Sequence, residues 1–186
     1  MIELKNVKKS YGTLDVLKGV NLKIEEGEVL SIMGASGAGK TTLLQILGTL
    51  DSADSGTILY SGENVQEYKE KQLAKFRNRN IGFIFQFHHL FPEFTAFENI
   101  CMPAWIAGID KKEAEEQGLR LLKRLGLESK SDKKPGEMSG GEQQRVAVAR
   151  ALINSPKIVL ADEPSGNLDS VNALVLHELF MELKEE

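Results

Sequence analysis

A chain of 186 residues with 41% hydrophobic and 27% charged side chains is long and apolar enough to bury a core, as an ordinary globular protein does. The net charge of -4 argues against a general nucleic-acid-binding protein, which needs a basic surface to replace phosphate counterions, although a local basic patch stays compatible with it. The single cysteine, Cys101, excludes an internal disulfide and favours a reducing compartment, and no apolar run approaches the ~18 residues of a membrane-spanning helix.

Predicted strands and helices alternate along the chain. Short alternating or apolar runs predict strands at Ile2 to Val7, Val20 to Ile24, Glu28 to Met33, Gly56 to Tyr60, Ile81 to Phe85 and Lys157 to Ala161. Apolar positions at helical spacing predict helices at Lys40 to Leu50, Ala96 to Ala107, Lys111 to Leu125, from near Ser139 onwards, and at Val171 to Lys184. This order indicates an α/β core that carries a helical subdomain.

A glycine-rich loop follows the third predicted strand. It fits the phosphate-loop (Walker A) pattern G-x-x-x-x-G-K-[ST] at every position, with Gly34, Ala35, Ser36, Gly37, Ala38, Gly39, Lys40 and Thr41, and Thr42 comes next. Glycines let backbone N–H groups turn towards phosphate oxygens, and the following helix presents its positive end. Lys40 is predicted to reach the β- and γ-phosphates and the Thr41 hydroxyl to bind Mg²⁺. A plain strand-to-helix turn would need the glycines but not the Lys-Thr pair, so the loop predicts nucleoside triphosphate binding.

An apolar strand that ends in two carboxylates is the second candidate site. Ile158 to Ala161 leads directly into Asp162 and Glu163. In phosphate-loop proteins an acidic residue at such a strand end helps to hold Mg²⁺, which is the role predicted for Asp162. Glu163 is then placed to act as general base on the attacking water, which favours hydrolysis over transfer to a substrate hydroxyl. The alternative, two solvated carboxylates, is weakened because the strand is apolar enough for the buried centre of a sheet.

The segment from Ser139 to Arg145, Ser-Gly-Gly-Glu-Gln-Gln-Arg, is the most specific sequence in the chain. Ser139 and Glu142 form an S-x-x-E capping box that opens a helix. A capping box does not explain two glycines inside it, because each weakens a helix, whereas bare backbone at a helix N-terminus is what an anion site needs. Here the chain resembles the ABC ATPase family, whose signature reads LSGGQ where this chain has Met-Ser-Gly-Gly-Glu-Gln. The resemblance covers essentially the whole chain.

The resemblance implies an α/β fold: a phosphate-loop NTPase core with a mainly parallel sheet, an N-terminal antiparallel β subdomain and an inserted helical subdomain. The core with the β subdomain is expected at about 1–86 and 156–186, and the helical subdomain with the signature at about 87–155. The resemblance also implies ATP and Mg²⁺ as ligands and a head-to-tail homodimer on ATP binding. In that dimer Ser139 and Gly141 of one subunit cap the γ-phosphate held by Lys40 of the other.

Further positions match the family in the same order along the chain. Tyr11 resembles the aromatic residue that stacks on adenine. Gln86 resembles the glutamine that contributes to catalysis by sensing Mg²⁺ and the membrane subunits. The run Ser165 to Asp169 resembles the loop through which the two subunits touch.

Six of the eight phenylalanines lie between Phe83 and Phe97, in a segment that also contains His88 and His89. About half of these rings are expected to belong to the core. A metal site at the histidine pair is disfavoured because the two side chains are adjacent and no further His or Cys is near. The segment is similar to the ATPase subunits of bacterial lipoprotein-releasing transporters and of the related macrolide exporters. This implies integral membrane partner subunits, a peripheral location at the cytoplasmic face of the inner membrane, and no nucleic-acid partner.

Two other functions compete with this one. Soluble ABC ATPases of ribosomes or DNA repair usually carry tandem units or a long coiled coil, and this sequence has neither. The second is a nucleotide-binding module that does not hydrolyse ATP. Glu163 argues against this function, whereas the end of the sequence argues for it. The family carries a switch histidine on a further strand, whereas this sequence stops at Glu186 in the last predicted helix, where His177 does not qualify. We therefore expect a C-terminally incomplete ATPase, doubtful activity of these residues alone, and unpaired backbone between Val29–Met33 and Ile158–Ala161.

Overall fold

The structure, a computed structural model, describes residues 1–166 and 170–185. Asn167, Leu168 and Asp169, which belong to the predicted subunit-contact loop, lie outside the described residues. The chain forms two compact units: one contains Met1–Ala74 and the end of the chain from Phe180, and the other is Lys75–Leu179. The predicted boundaries of the core and the helical subdomain stay a prediction. Within the described ranges no helix is long and apolar enough to cross a membrane.

A four-stranded antiparallel sheet forms most of the first unit, in the order β2-β1-β3-β4. Its strands are β1 (Ile2–Tyr11), β2 (Leu14–Ile24), β3 (Ser55–Tyr60) and β4 (Glu63–Asn64). Gly12 in the β1–β2 turn has φ 61°, in the left-handed region that glycine enters without the steric cost of a Cβ. Ile2 and Leu4 on β1 are buried, as expected when one face of a strand packs on a core. This sheet is the predicted antiparallel β subdomain.

The predicted strand from Glu28 to Met33 is wrong. Residues 28–35 pair with no strand in the described part of the chain. Val29 is 58% exposed and Met33 89% exposed, because apolar alternation makes a strand only where a neighbour completes the hydrogen-bonded ladder. The expected gap between Val29–Met33 and Ile158–Ala161 stays a prediction, because the two segments belong to different units. The helix that follows, α1 (Lys40–Leu47), is shorter than predicted and ends at Gly48.

Helices and a parallel pair of strands form the second unit. In chain order the remaining elements are α2 (Glu70–Asn80), which begins in the first unit, β5 (Ile81–Ile84), α3 (Ala96–Ile106), α4 (Lys111–Arg124), α5 (Gly140–Leu152), β6 (Ile158–Ala161) and α6 (Ser170–Glu185). Three predicted helices and both predicted strands are confirmed to within one residue at each end, and the helix predicted to begin near Ser139 begins at Gly140. The structure adds α2, which no apolar periodicity predicted because it buries none of its side chains.

The core of the second unit lies around α5. Val146, Ala147, Val148 and Ala149 of α5 are fully buried, and α5 packs against α3, α4 and β5. A Cβ on Gly82 of β5 would lie 2.5 Å from the carbonyl oxygen of Ala151, so glycine allows the helix to approach the strand. The strands β5 and β6 are parallel, with Ile81 opposite Ile158 and Ile84 opposite Ala161.

Candidate functional site

The glycine-rich loop leads into α1 through left-handed backbone, which glycine adopts without the steric cost of a Cβ. Gly37 and Gly39 have φ values of 78° and 87°, and Gly39 is the N-terminal cap residue of α1. A Cβ on Gly39 would lie 2.9 Å from Val16 Cγ1 and 3.3 Å from the Val16 carbonyl oxygen. Backbone conformation and space therefore both require glycine there. Residues 34–38 are exposed, so the loop is open to a ligand from solvent.

Lys40 is the first residue of α1, and its side chain folds back onto the loop. Its Nζ donates hydrogen bonds to the carbonyl oxygens of Gly34 at 2.9 Å and Ala35 at 3.0 Å. The first turn of α1, which is described in full, has no acidic residue. A full positive charge therefore adds to the partial positive charge of the helix N-terminus, and the combined field suits a polyphosphate. Thr41 is exposed and Thr42 half-buried on the same turn.

Tyr11 ends β1 and is 47% exposed. Its hydroxyl donates to Asp51 Oδ2 at 2.6 Å, and Lys9 Nζ donates to Asp51 Oδ1 at 2.8 Å. The structure thus joins Tyr11 to the segment that follows α1.

The ends of the parallel strands bring a second group of predicted residues together. Gln86 follows β5, and Asp162 and Glu163 follow β6. The backbone N–H of Asp162 donates to the carbonyl oxygen of Ile84 at 2.9 Å, and a Cβ on Gly166 would lie 3.3 Å from Gln86 Nε2. Glu163 is exposed and has φ 45°, a left-handed conformation that is uncommon for a residue with a side chain and recurs at functional sites.

The signature segment opens α5 with the predicted capping box. Ser139 Oγ accepts from the Glu142 N–H at 3.3 Å, and Glu142 Oε2 accepts from the Ser139 N–H at 2.8 Å. Lys130 Nζ lies 3.0 Å from Glu142 Oε1. The Ser139 N–H and then Lys130 lower the pKa of the Glu142 carboxyl. Gly140 is exposed, and a Cβ on it would meet nothing within 4 Å, so packing within the described chain does not require glycine there.

The phenylalanine-rich segment divides into half-buried and exposed rings. Phe87, Phe91 and Phe94 are exposed, and Phe83, Phe85 and Phe97 are half-buried. The loop that carries the exposed rings is held by Asn99, which is fully buried on α3. Its Oδ1 accepts from the Phe91 N–H at 2.8 Å, and its Nδ2 donates to the carbonyl oxygens of Phe91 and Phe94, both at 3.1 Å. These rings are therefore presented to solvent on an ordered loop.

Arg150 of α5 fixes the turn between Gln86 and that loop. Its guanidinium donates to the carbonyl oxygens of His88 and His89, both at 2.6 Å. Both histidines have left-handed backbones, with φ 49° and 47°, so the turn is costly without an external partner. Burial lowers the pKa of the His88 imidazole. Arg150 therefore connects the signature helix to the segment after Gln86.

Cys101 behaves as a small buried hydrophobe, as expected. Its side chain is fully buried on α3, and its Sγ lies 3.6 Å from the Ala114 carbonyl oxygen. Burial raises the pKa of the thiol to about 11. Such a thiol is protonated at neutral pH and is a poor nucleophile.

The predicted site residues thus fall into separate groups. The first unit contains Tyr11, the phosphate loop, Thr41 and Thr42. The second contains Gln86, Asp162 and Glu163 at the strand ends, and Ser139 and Gly141 at the start of α5. Lys9, Asp51 and Arg150 were not among the predicted residues, because each acts on a partner 40 or more positions away and no local pattern marks it.

The α/β architecture, the phosphate loop and the carboxylates after β6 define a phosphate-loop nucleotide-binding protein. A model of the ABC transporter family matches residues 17–166. This chain belongs to the ABC transporter family.

Curated relatives and solved structures agree with this assignment. The chain is 58% identical to the lipoprotein-releasing system ATP-binding protein LolD of Bacteroides thetaiotaomicron over 100% of this chain and 85% of the relative. It is 59% identical to the protein of the same name from Bacteroides fragilis over 99% of this chain and 85% of the relative. A dimeric ATP-binding cassette in a post-hydrolysis state, bound to ADP and Pi, matches with TM-score 0.92 and 41% identity, over 100% of this chain and 83% of that one. The expected fold class is thereby confirmed.

Proposed function

We propose that this chain is the ATP-binding and hydrolysing subunit of an ABC transporter that releases lipoproteins from the bacterial inner membrane. The observation that carries the proposal is the similarity over nearly the whole chain to proteins named lipoprotein-releasing system ATP-binding proteins, at 50% to 59% identity. The arrangement of the candidate site supports the ATPase part of it, residue by residue.

ATP binding begins at the phosphate loop. The backbone N–H groups from Gly34 to Thr42 and the Lys40 ammonium receive the phosphates, and the Tyr11 ring stacks on the adenine. The positive charge at the start of α1 supports this role, since a polyphosphate carries the complementary charge. The exposed side chain of Tyr11, whose hydroxyl is hydrogen-bonded to Asp51 just beyond α1, supports the second contact.

The residues assigned to Mg²⁺ fit the ion by their chemistry. Thr41, Gln86 and Asp162 offer a hydroxyl, an amide oxygen and a carboxylate, which are the hard oxygen donors that Mg²⁺ prefers. Bound there, the ion would neutralise charge on the β- and γ-phosphates. Glu163 accepts a proton from the attacking water as general base. Its exposed position and left-handed backbone, one residue beyond Asp162, support that role.

The signature contributes to catalysis across a head-to-tail dimer. Ser139 and Gly141 of one subunit cap the γ-phosphate that Lys40 of the other subunit holds. Two features at the start of α5 support this. Ser139 Oγ accepts one hydrogen bond in the capping box and keeps its own proton to donate to a phosphate oxygen. Position 140 is a glycine although neither packing nor a left-handed φ requires the absence of a side chain there. A phosphate approaching the N-terminus of α5 accounts for that glycine.

The exposed rings of Phe87, Phe91 and Phe94 form the docking surface for a short cytoplasmic helix of a membrane subunit. Apolar rings on a fixed loop suit an amphipathic helix laid into a groove. Arg150 couples this loop to the signature helix, so docking and nucleotide state can influence each other. The chain is then peripheral to the cytoplasmic face of the inner membrane and held there by its partners.

Replacing one of these rings by a polar residue is expected to uncouple the ATPase from its partners. Phe87 is 69% exposed, so Phe87→Ser removes apolar docking area and leaves the core intact. We expect the full-length variant to retain its basal ATPase rate and to lose stimulation by the membrane subunits. ATPase assays with and without those subunits measure both quantities.

Leu119→Ser on α4 is the matched control, because Leu119 is 54% exposed and lies outside the phenylalanine segment. It is expected to keep both activities. Equal loss of basal and stimulated activity in Phe87→Ser would show that the ring serves folding and not docking.

Lipoprotein release is tested with the full-length protein and its membrane subunits in lipid vesicles that contain a fluorescently labelled lipoprotein. ATP is expected to move the label from the vesicles to the soluble fraction, while ADP or the Lys40→Met complex leaves it in the membrane. ATP-driven movement of a macrolide with no lipoprotein release would favour the exporter alternative. ATP binding without hydrolysis in the complex would favour a regulatory module.

A further inference from the structure

We propose that Asp51 and Lys9 are positioning residues that hold the Tyr11 ring in the orientation in which it receives the base of the nucleotide. The inference rests on the proposed function, since Tyr11 stacks on a base only if this chain binds ATP. It assigns a role to a cluster of side chains that lies outside the phosphate loop, the strand-end carboxylates and the signature.

Asp51 is the centre of the cluster. One carboxylate oxygen, Oδ2, accepts from the Tyr11 hydroxyl at 2.6 Å, and the other, Oδ1, accepts from Lys9 Nζ at 2.8 Å. The backbone N–H of Ser52 also donates to Oδ1, at 2.7 Å. Both oxygens are therefore engaged, and the carboxylate has one defined orientation relative to the end of β1.

Lys9 is itself held tightly. It is buried, which is rare for a lysine unless it is paired. Its Nζ also donates to the Ser52 carbonyl oxygen at 2.8 Å and lies 3.9 Å from Asp54 Oδ1. These contacts compensate for burial of the charge and leave the ammonium little freedom to move.

The ammonium of Lys9 also acts on the ring directly. Nζ lies over the Tyr11 ring, 5.1 Å from its centroid, within the range of a cation–π interaction. The ring face turned away from Lys9 is then the face available to a base. Because 47% of Tyr11 is exposed, the cluster fixes the ring without covering it.

The cluster keeps its charges over the physiological pH range. Hydrogen bonds from Lys9 and then Tyr11 lower the pKa of the Asp51 carboxyl. The hydrogen bond to Asp51 raises the pKa of both the Lys9 ammonium and the Tyr11 hydroxyl. At neutral pH the carboxylate is ionised, the ammonium is charged and the hydroxyl keeps the proton that it donates.

Fixing an exposed aromatic side chain before binding matters because a free ring must be ordered when the base arrives. Ordering one side chain at an interface costs an affinity factor of roughly three- to tenfold. The hydrogen bonds of the network order the ring when the protein folds, so this ordering does not lower the affinity for ATP. Because Asp51 lies just beyond the end of α1, the network also places the ring relative to the helix that follows the phosphate loop.

The test compares binding of ATP with binding of inorganic tripolyphosphate, which has the phosphates without the base, to the full-length protein. Tyr11→Phe keeps the ring and removes its bond to Asp51, and Asp51→Asn keeps the shape and removes the charge. Each is expected to raise the Kd for ATP about three- to tenfold and to leave the Kd for tripolyphosphate unchanged. The double variant is expected to raise the Kd no further than the larger single effect, because both substitutions act on the same contact between Tyr11 and Asp51.

Tyr68→Phe is the matched control. Tyr68 donates to Glu63 Oε2 at 2.6 Å, the same tyrosine–carboxylate pair in the same unit. It is expected to bind ATP as the unmodified protein does. Melting temperatures of all variants separate a loss of folding from a loss of affinity.

Unchanged ATP affinity in both folded single variants would overturn the inference. An equal rise in the Kd for tripolyphosphate would also overturn it, because the cluster would then act on the phosphate loop and not on the base. Failure of the proposed function is visible separately: Lys40→Met would then leave ATP binding unchanged. If Tyr11→Ala weakens ATP binding while Tyr11→Phe and Asp51→Asn do not, the ring stacks without help from the cluster.

Discussion

Glu163→Gln is expected to lower ATP hydrolysis by the full-length protein about 10²–10⁴-fold, the usual contribution of a general base. The glutamine keeps the size of the side chain and can still orient a water molecule, but it cannot accept a proton from it. ATP binding is expected to be unchanged, because the phosphate contacts are assigned to the loop that ends in Lys40. Single-turnover hydrolysis and equilibrium ATP binding measure the two effects independently.

The same variant is expected to accumulate as a dimer in the presence of ATP and Mg²⁺. If Ser139 and Gly141 cap the γ-phosphate in trans, a nucleotide that is not hydrolysed keeps two subunits together. Size-exclusion chromatography with light scattering detects this as a doubling of mass. Dimer without added nucleotide, or no dimer with it, would contradict capping across the dimer.

Glu116→Gln is the control for the loss of one carboxylate, since Glu116 is exposed on α4 and is not part of the proposed site. It is expected to hydrolyse ATP at the unmodified rate. A rate in Glu163→Gln close to that of this control would exclude Glu163 as the base.

Gly39→Ala is expected to destabilise the fold and weaken ATP binding together. An alanine at φ 87° costs about 1–2 kcal/mol in backbone conformation. Its Cβ would also lie 2.9 Å from Val16 Cγ1 and 3.1 Å from Leu17 Cδ2, and such overpacking adds about 1–3 kcal/mol. Urea unfolding is therefore expected to show a loss of about 2–5 kcal/mol in the free energy of unfolding, the sum of these two effects.

Weaker ATP binding follows because the loop cannot keep its shape. If the change in loop shape moves Lys40 away from the phosphates, its charge-assisted hydrogen bonds to them are lost. The free energy of ATP binding then falls by about 1.5–3 kcal/mol, which raises the Kd about ten- to hundredfold. Isothermal titration with ATP, at a temperature where the variant is folded, measures it. Unchanged affinity in the folded variant would mean that the loop tolerates a side chain at its last glycine.

Two other glycines separate the conformational cost from the clash. Gly62 has φ 86° and Gly37 has φ 78°, and a Cβ on either would meet nothing within 4 Å. Gly62→Ala, outside the loop, is expected to lose about 1–2 kcal/mol of stability with no change in ATP affinity. Gly37→Ala carries the same conformational cost inside the loop. If Gly39→Ala is no more destabilising than these two, the contact with Val16 and Leu17 is relieved by small movements of β2.

The sequence by itself determined the elements and motifs whose physics is local. The capping box of Ser139 and Glu142 joins positions three residues apart on one helical turn, so its pattern predicted the observed bonds. The phosphate loop was predictable for the same reason, because Gly37 and Gly39 are needed for left-handed backbone within the loop itself. The paired strands β5 and β6 were also predicted from short apolar runs, and their parallel pairing places Gln86 and Asp162 at one edge.

Only the tertiary structure decided which partners those local elements meet. Residues 28–33 alternate as a strand does but have no strand partner in the described part of the chain, and hydrogen bonding between strands is not a property of one segment. Phe87 and Phe85 are equally apolar in sequence, yet one ring is exposed and the other half-buried, because burial depends on what packs against each. The contacts of Asp51 with Tyr11, and of Arg150 with His88 and His89, join residues at least 40 positions apart. Such pairs come together through the path of the whole chain, which no local periodicity records.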